Sequence, residues 1–412
     1  MKVFVLNCGS SSVKYQLFNM DDESVMAKGL VERIGSDDAI LTHRPEGRQP
    51  VKQIGPILDH TTAIGKVLAV LTHQEHGVIR DVSEIGAVGH RVVHGGEAFT
   101  GSVLITDEVK KALRDCIDLA PLHNPPNLTG IAAAEALMPG VPQVAVFDTA
   151  FHSTMPRHAF LYPIPYVLYQ RHKVRRYGFH GTSHRYVAWR ASEILGRPLE
   201  DLKIISCHLG NGASIAAIKG GKSIDTSMGF TPLEGLMMGT RSGDVDPGVI
   251  LFVMDREQLT LVEANAMLNK HSGLMGLSGL SGDMREIEAG MAQGNPRAKD
   301  AFDVYEYRIR KYIGAYAAAM NGVDVIIFTA GVGENSPLLR RRVCEGLTFL
   351  GVRIDAAKNE VRGKEADISA EGSAVRVLVV PTNEELVIAR DTTEIVSALP
   401  TKSLACQDPR RE

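Results

Sequence analysis

One local pattern, met twice, restricts this chain more than any other. Val5-Leu-Asn-Cys-Gly-Ser-Ser-Ser-Val-Lys-Tyr-Gln-Leu-Phe18 is an apolar strand that reverses through glycine and small polar residues into a second strand. Ile204-Ile-Ser-Cys-His-Leu-Gly-Asn-Gly-Ala-Ser-Ile-Ala-Ala-Ile218 repeats that arrangement near the middle. Two such hairpins, each opening one half of the chain, predict duplicated domains facing each other across a cleft. The 412 residues have room for this, at about 150 residues per domain. Short apolar runs at Val3–Leu6, Gln143–Phe147, Lys203–Ser206, Asp324–Thr329 and Val375–Val380 read as buried strands. Phe302, Tyr305, Ile309, Tyr312, Ile313, Tyr316 and Met320 recur at three- and four-residue steps, predicting a helix stopped by Gly322. Alternating strands, glycine loops and helices give an α/β class, with ligands expected at the carboxyl ends of strands. Hinges are expected near 149–155 and 383–388, and the polar stretch 401–412 is expected to fray.

Charge excludes several classes of function. Lys and Arg number 45 against 48 Asp and Glu, a net charge of −3. Without charge blocks, this balance argues against a nucleic-acid binder or a membrane-surface protein. Any anionic ligand must be held by a few placed groups. Five scattered cysteines with no Cys-x-x-Cys pair predict a reduced, cytoplasmic protein without structural zinc. The apolar start, Met1–Leu6, is too short for a signal peptide's core, and no run approaches the ~18 apolar residues of a membrane span.

Familiar phosphate motifs fail. Gly220-Gly-Lys-Ser223 lacks the glycine that a P-loop needs at Ala216, and Gly331-Val-Gly-Glu-Asn-Ser336 places Ser336 where a dinucleotide fingerprint needs glycine. What remains are three glycine-rich turns after strands, at Asn7–Ser12, His208–Gly212 and Gly331–Asn335. Such turns expose clustered N–H groups that cradle phosphate oxygens. Lys14 can add a point charge or be a solvated strand residue. Arg91 and Arg241 lie among glycines and small or apolar residues, where guanidinium suits a carboxylate or a transferring phosphoryl group. An ion pair of Arg241 with Asp244 or Asp246 is the alternative. His180 lies in Tyr177-Gly-Phe-His-Gly-Thr-Ser-His184, which favours a working role, whereas His123 and His208 read first as buried, hydrogen-bonded histidines. Asp148 ends a strand, where it can act on a metal or cap a helix. Glu384 can reach magnesium or cap the following helix.

The assembled motifs resemble the acetokinase family of the actin–hexokinase–heat-shock-70 ATPase superfamily. The segments that carry the resemblance are Asn7–Lys14, His90–Gly96, Pro121–Pro126, Phe147–Phe151, Tyr177–His184, Cys207–Ser214, Asp225–Pro247, Gly331–Asn335 and Pro381–Glu385, nearly the whole chain in family order. Cys8 stands where the family usually has alanine. The resemblance implies two duplicated actin-like (ribonuclease H-like) domains flanking a nucleotide cleft: 1–150, completed by about 386–400, and 151–385, which carries most of the ATP site. It implies a homodimer, Mg²⁺ (with Mn²⁺ able to substitute), and reversible phosphoryl transfer from ATP to acetate giving acetyl phosphate and ADP. Asn7 and Glu384 would hold the metal, with Ser10, Ser12 and Lys14 near the phosphates. His208, Leu209, Gly210, Asn211 and Gly212, with Asp283, Met284 and Arg285 and with Gly331, Val332, Gly333, Glu334 and Asn335, would form the ATP site. Arg91, Asp148, His180 and Arg241 would be catalytic, and Val93, Leu122, Phe179 and Pro232 would line the pocket for the acetate methyl. A propionate or other short-chain acid kinase is the near alternative. A chaperone-type ATPase would need a peptide-binding domain for which the motifs leave no room, and a non-catalytic regulator would be expected to lack Arg91 or Arg241.

Overall fold

A computed structural model describes residues 1–400; the expectation for 401–412 lies outside the described residues. The fully buried strands have apolar side chains on both faces, so each sheet must be covered on both sides by other elements. In the first sheet the chain runs β1 (Lys2–Cys8), β2 (Ser12–Asn19), β3 (Ser24–Glu32), β4 (Ser36–Pro45), β5 (Val51–Ile57), β6 (Ile85–Val92), β7 (Val103–Leu104) and β8 (Gln143–Phe147). Their spatial order is β5-β4-β3-β2-β1-β6-β8-β7. The second sheet holds β9 (Lys203–Leu209), β10 (Ala213–Lys219), β11 (Lys222–Thr226), β12 (Val325–Thr329), β13 (Ala366–Asp367) and β14 (Arg376–Val379), ordered β11-β10-β9-β12-β14-β13.

The two orders share a five-strand centre, β3-β2-β1-β6-β8 and β11-β10-β9-β12-β14. In both, the first two pairings are antiparallel and the last two parallel. The repeat read from two hairpins is thus present in the backbone. Each hairpin closes tightly: Cys8 faces Val13 and Gly9 N–H donates to Ser12 O at 2.8 Å, while Leu209 faces Ala213 and Gly210 N–H donates to Gly212 O at 3.1 Å.

The predicted helix is Pro296–Met320, and the expected apolar face packs on the second sheet. It stops one residue early: Asn321 takes the left-handed conformation and Gly322 follows it there. The helix Gly181–Leu195 contributes Val187, Ala188 and Ala191 to an apolar cluster with Ile204, Ala216, Val325, Ile327 and Leu378 of the second sheet. The last helix, Glu384–Ser397, returns to the first sheet, where Leu386, Ile388 and Ala389 join Val3, Val5, Val144 and Val146. Gly89 permits that return, because a Cβ there would meet Thr392 Oγ1 at 2.5 Å and Ile388 Cγ2 at 2.6 Å.

Two of the predicted turns are corrected. His208 and Leu209 belong to β9, which runs three residues beyond the expected Ser206, so the turn proper is Gly210–Gly212. Gly331–Asn335 is not an open loop but the short helix Ala330–Asn335, entered through a left-handed Ala330. The first N–H groups of so short a helix have no partner within it, so these donors sit in helical rather than turn geometry.

Candidate active site

The parallel strands β6 and β8 deliver the first pair of groups. Arg91, near the end of β6, sends Nε to Asp148 Oδ1 at 2.9 Å and Nη2 to Asp148 Oδ2 at 2.6 Å. The Asp148 side chain is 2% exposed and that of Arg91 24%. Burial alone would pull the Arg91 pKa down, but the carboxylates of Asp148 and Glu384 outweigh it and hold it above the usual value. The expected role of Asp148 is narrowed accordingly: both carboxylate oxygens are engaged by a neighbouring cation, the guanidinium.

Glu384 starts the last helix beside this pair. Its Oε1 is buried with no hydrogen-bond partner. Burial first, then Asp148 and Glu385, push its carboxyl up to about 7 against the pull of Arg91 and Lys14. Lys14 faces Asn7 across the first hairpin and pairs with Glu385. Ser10 is exposed at the tip of that hairpin and Ser12 half-buried at its base. Asn127 was missed by sequence reading. Its Nδ2 donates to Cys8 O at 2.9 Å and its Oδ1 accepts from Val93 N at 3.1 Å, tying the first turn to the apolar pocket. Only its place in Pro125-Pro-Asn-Leu128, just inside a helix, could have drawn attention to it.

The elements around the second sheet bring His180, His208, Gly212 and Arg241 together. His180 has a left-handed backbone at the start of the helix Gly181–Leu195, and the following Gly181 N–H donates to Asp148 O at 2.9 Å. Only glycine fits there, since a Cβ would lie 2.3 Å from that oxygen. The His180 ring stacks on His208 at 4.1 Å between centroids. A Cβ placed on Gly212 would lie 3.4 Å from Arg241 Nη1 and 3.7 Å from His180 Nε2, so both groups converge on the second hairpin turn. Burial, then the neighbouring His208, His184, Arg91 and Arg241, hold His180 neutral, well below the usual histidine range.

Among the described residues, Arg241 makes no ion pair. Asp244 accepts from Gly235 N at 2.8 Å and from Tyr312 OH at 2.7 Å, and Asp246 caps the helix Pro247–Arg256 through Gly248 N at 2.8 Å. Arg241 Nη1 donates instead to Pro232 O at 3.1 Å. Burial lowers its pKa, and no carboxylate offsets that. A half-buried guanidinium without a carboxylate partner among the described residues is able to receive a ligand anion. His123 is half-buried, with its pKa lowered by burial and then by Arg241 and Arg91, so it sits within electrostatic reach of both arginines.

Of the expected pocket residues, Val93 and Phe179 are buried in one apolar cluster with Ala213, Met228 and Met238. Pro232 is half-buried against Arg241. Leu122 is the exception: it is 73% exposed, in the irregular stretch between Ile117–Leu119 and the helix Asn124–Leu137, and closes no wall in this conformation.

A cavity of about 710 Å³ lies between the second hairpin turn and the helix Ala330–Asn335. Gly210, Asn211, Asp283, Met284, Arg285, Gly331, Val332 and Asn335 line it, from three predicted segments far apart in sequence. Leu274, Gly282, Glu288, Ser336 and Arg362 line it too and were not foreseen. Gly282 and Ser336 had a signal, their places beside Asp283 and Asn335; Leu274, Glu288 and Arg362 had none. Five expected residues stay outside. His208 and Leu209 are buried in β9, Gly212 faces His180 and Arg241, Gly333 O accepts from Arg340 Nη1 at 2.8 Å, and Glu334 Oε1 accepts from Thr382 N at 3.2 Å. Arg285 Nη2 pairs with Asp283 Oδ2 at 2.5 Å on the rim.

The acetokinase family model matches residues 2–390. The acetate kinase of Symbiobacterium thermophilum is 63% identical over 396 residues, covering 96% of this chain and 99% of that protein. The crystal structure of Porphyromonas gingivalis acetate kinase superposes with a TM-score of 0.93 at 54% identity, covering 96% of this chain and 99% of that one. A propionate kinase from Francisella tularensis superposes with a TM-score of 0.89 at 41% identity, covering 96% and 99%.

Proposed function

The chain belongs to the acetokinase family, and we propose that the convergence of Arg91, His180 and Arg241 on the second hairpin turn is where it transfers the γ-phosphoryl group of ATP to acetate. The chain is an ATP:acetate phosphotransferase. An acetate oxygen bonds to the γ-phosphorus, the bond from phosphorus to the bridging oxygen breaks, and ADP leaves with that electron pair. Acetate is already ionised at neutral pH, so the nucleophile needs no general base. The protein's task is positioning and charge neutralisation.

The observation that carries this reading is Arg241, whose guanidinium lacks a protein anion among the described residues and points at the turn that His180 also faces. In the proposed roles Arg91, held flat by Asp148, orients the acetate carboxylate, while Arg241 and His180 meet the negative charge spreading over the equatorial phosphoryl oxygens. ATP would lie in the 710 Å³ cavity with its phosphates toward Gly210–Gly212. The lobes 1–150, completed near 386–400, and 151–385 would close over it, bringing Leu122 against the methyl group.

Among the described residues, no three His, Cys, Asp or Glu side chains gather as a metal cage. That fits Mg²⁺, which takes one or two protein oxygens and completes its shell with phosphates and water. The orphaned Glu384 Oε1 would hold it, together with Asn7, which pairs across the first hairpin with the Lys14 that reaches Glu385. When bound, the ion neutralises charge on the β- and γ-phosphates. Because the Glu384 carboxyl sits at about 7, its proton must leave before the ion binds. The KM for Mg²⁺ is therefore expected to rise about tenfold per pH unit below 7 and to level off above it. The ratio of wild type to Glu384→Gln, in which ATP's own titration cancels, checks this; a ratio constant between pH 5.5 and 8 would overturn it.

Val93 narrows the pocket, and one methylene is worth about 1–3 kcal/mol in such a site. Val93→Ala is expected to raise propionate kcat/KM relative to acetate by about tenfold or more. An unchanged ratio of the two would sink that assignment.

Exposed apolar side chains at Val249, Leu251, Phe252, Leu261 and Val262 mark the face where a second copy would dock to give a homodimer. A sedimentation mass near 44.6 kDa rather than twice that would reject it. No helix among the described residues is long and apolar enough to cross a membrane. Four buried cysteines are free thiols, as a reducing compartment leaves them, and we place the enzyme in the cytoplasm on that ground. The activity is tested by trapping acyl phosphate with hydroxylamine after incubation with Mg-ATP and acetate, propionate or butyrate. No hydroxamate from any acid rejects the kinase reading, and propionate kcat/KM above that for acetate selects a propionate kinase.

A further inference from the structure

Behind His180 lies a chain of buried hydroxyls and imidazoles that no step above uses. His180 Nδ1 is 3.0 Å from Ser214 Oγ, and His184 Nε2 is 2.8 Å from that same oxygen. His184 Nδ1 is in turn 2.9 Å from Ser206 Oγ. Ser206, His184 and Ser214 are fully buried. A neutral imidazole has one donor and one acceptor nitrogen, and a hydroxyl has one proton. Burial holds both rings neutral, reinforced at His180 by His208 and at His184 by His152. The chain then has only two polarities.

In the first, Ser206 donates to His184 Nδ1, His184 Nε2–H donates to Ser214, and Ser214 donates to His180 Nδ1. The proton of His180 is then on Nε2, which faces the cleft. In the second, every bond reverses, and the Ser206 proton has nowhere to go. Among the described residues, His184 is the only hydrogen-bond partner of Ser206 Oγ. A fully buried donor without an acceptor is strongly disfavoured. The first polarity leaves no buried proton unmatched, because its last donor opens on the ligand.

A second chain runs beside it. Thr382 Oγ1 donates to Ser183 Oγ at 2.7 Å, which leaves the Ser183 proton for His208 Nδ1 at 2.8 Å. His208 is held neutral at about 3 by burial and then Arg91, so its proton is also on Nε2. The two rings are stacked within 17° of parallel. His208 Nε2 lies 3.9 Å from a Cβ built on Gly210, and His180 Nε2 lies 3.7 Å from one built on Gly212, so both face the same turn.

We infer that Ser206, His184 and Ser214, with Thr382 and Ser183 alongside, are positioning residues that fix the tautomers of His180 and His208, so that a stacked pair of neutral imidazoles presents two Nε2–H donors to the phosphoryl oxygens. A donor whose proton is already placed needs no reorganisation when charge develops on its acceptor. The ligand half of this inference rests on the phosphotransfer reading; the placement of the protons does not.

The test is nitrogen-detected NMR of the ligand-free protein labelled with ¹⁵N-histidine at pH 7, the two rings being assigned by loss of signal in His180→Asn and His208→Asn. Both are expected as single Nε2–H tautomers. An Nδ1–H tautomer or an imidazolium at either ring overturns the inference. Ser214→Ala removes the hydroxyl that pins His180 and is expected to give that ring a measurable Nδ1–H population. It should also lower kcat about tenfold with the KM for ATP within about twofold, and Ser214→Thr should restore both. Retention of one tautomer in Ser214→Ala, even with activity lost, overturns it, because the serine is then merely structural. If Ser214→Ala fails to fold, the wild-type spectrum decides alone. Absence of hydroxamate in the trapping assay would reject the kinase reading while leaving the spectrum to judge the proton chain.

Discussion

Arg241→Ala is expected to lower kcat by about 10³- to 10⁵-fold, the range seen when a guanidinium that meets transition-state charge is removed in phosphoryl transfer. The KM for ATP should move by no more than about twofold, because the cavity proposed for the nucleotide is lined by residues such as 210–211, 282–285, 331–332 and 335–336 and not by Arg241. Stability should change little, by about 1 kcal/mol. Among the described residues the side chain forms no ion pair, and its loss frees the Pro232 carbonyl and removes a weak contact to Met238 Sδ. Arg241→Lys should not rescue the rate, since an ammonium cannot reproduce the planar fork. Steady-state kinetics on both variants, with urea unfolding as the control, decide the matter. A raised KM for ATP with kcat intact would assign Arg241 to nucleotide binding instead.

Arg91→Ala is expected to behave in the opposite way toward stability. Its partner Asp148 has a side chain only 2% exposed, and removing the guanidinium strands that carboxylate. Breaking a buried pair from one side typically costs about 3–5 kcal/mol. The variant should therefore unfold at clearly lower urea and also use carboxylate substrates poorly. Adding Asp148→Asn should recover most of the stability, because the stranded charge is gone, but not the activity. If Arg91→Ala is as stable as wild type, the bidentate pair is not the element that organises this corner of the site.

The contrast between the two arginines shows where sequence reading reaches. Both stood out by composition alone, as arginines among glycines and apolar residues. Which of them is tied to a carboxylate did not. Arg91 and Asp148 are 57 residues apart and meet only because β6 and β8 are parallel neighbours. Asp244 and Asp246, local candidates for Arg241, are occupied by Tyr312 and by a helix end. Leu209, Gly333 and Glu334 belong to the expected ATP segments but do not line the cavity, because strand and helix geometry turn alternate residues away from it. Asn127, Glu288 and Arg362 carry no local pattern, and their positions follow from packing.

The sequence by itself determined the α/β class, the five strand runs, the duplicated hairpins, the long helix with its apolar face, and Arg91, His180 and Arg241 as candidates, but not the bounds of two of the three glycine turns. Those features follow from near-neighbour physics: side-chain periodicity, and the freedom of glycine to reverse a chain. The tertiary structure alone decided that Glu384 keeps a buried oxygen free, that Arg241 meets a carbonyl and no carboxylate among the described residues, and that a train of hydroxyls and histidines ends at His180. Hydrogen-bond and ion-pair partners are chosen by distance in space and by the exclusion of water. Positions 14 and 385 become neighbours only when the last helix returns to the first sheet, and 183 and 382 only when the helix Gly181–Leu195 packs beside the end of β14.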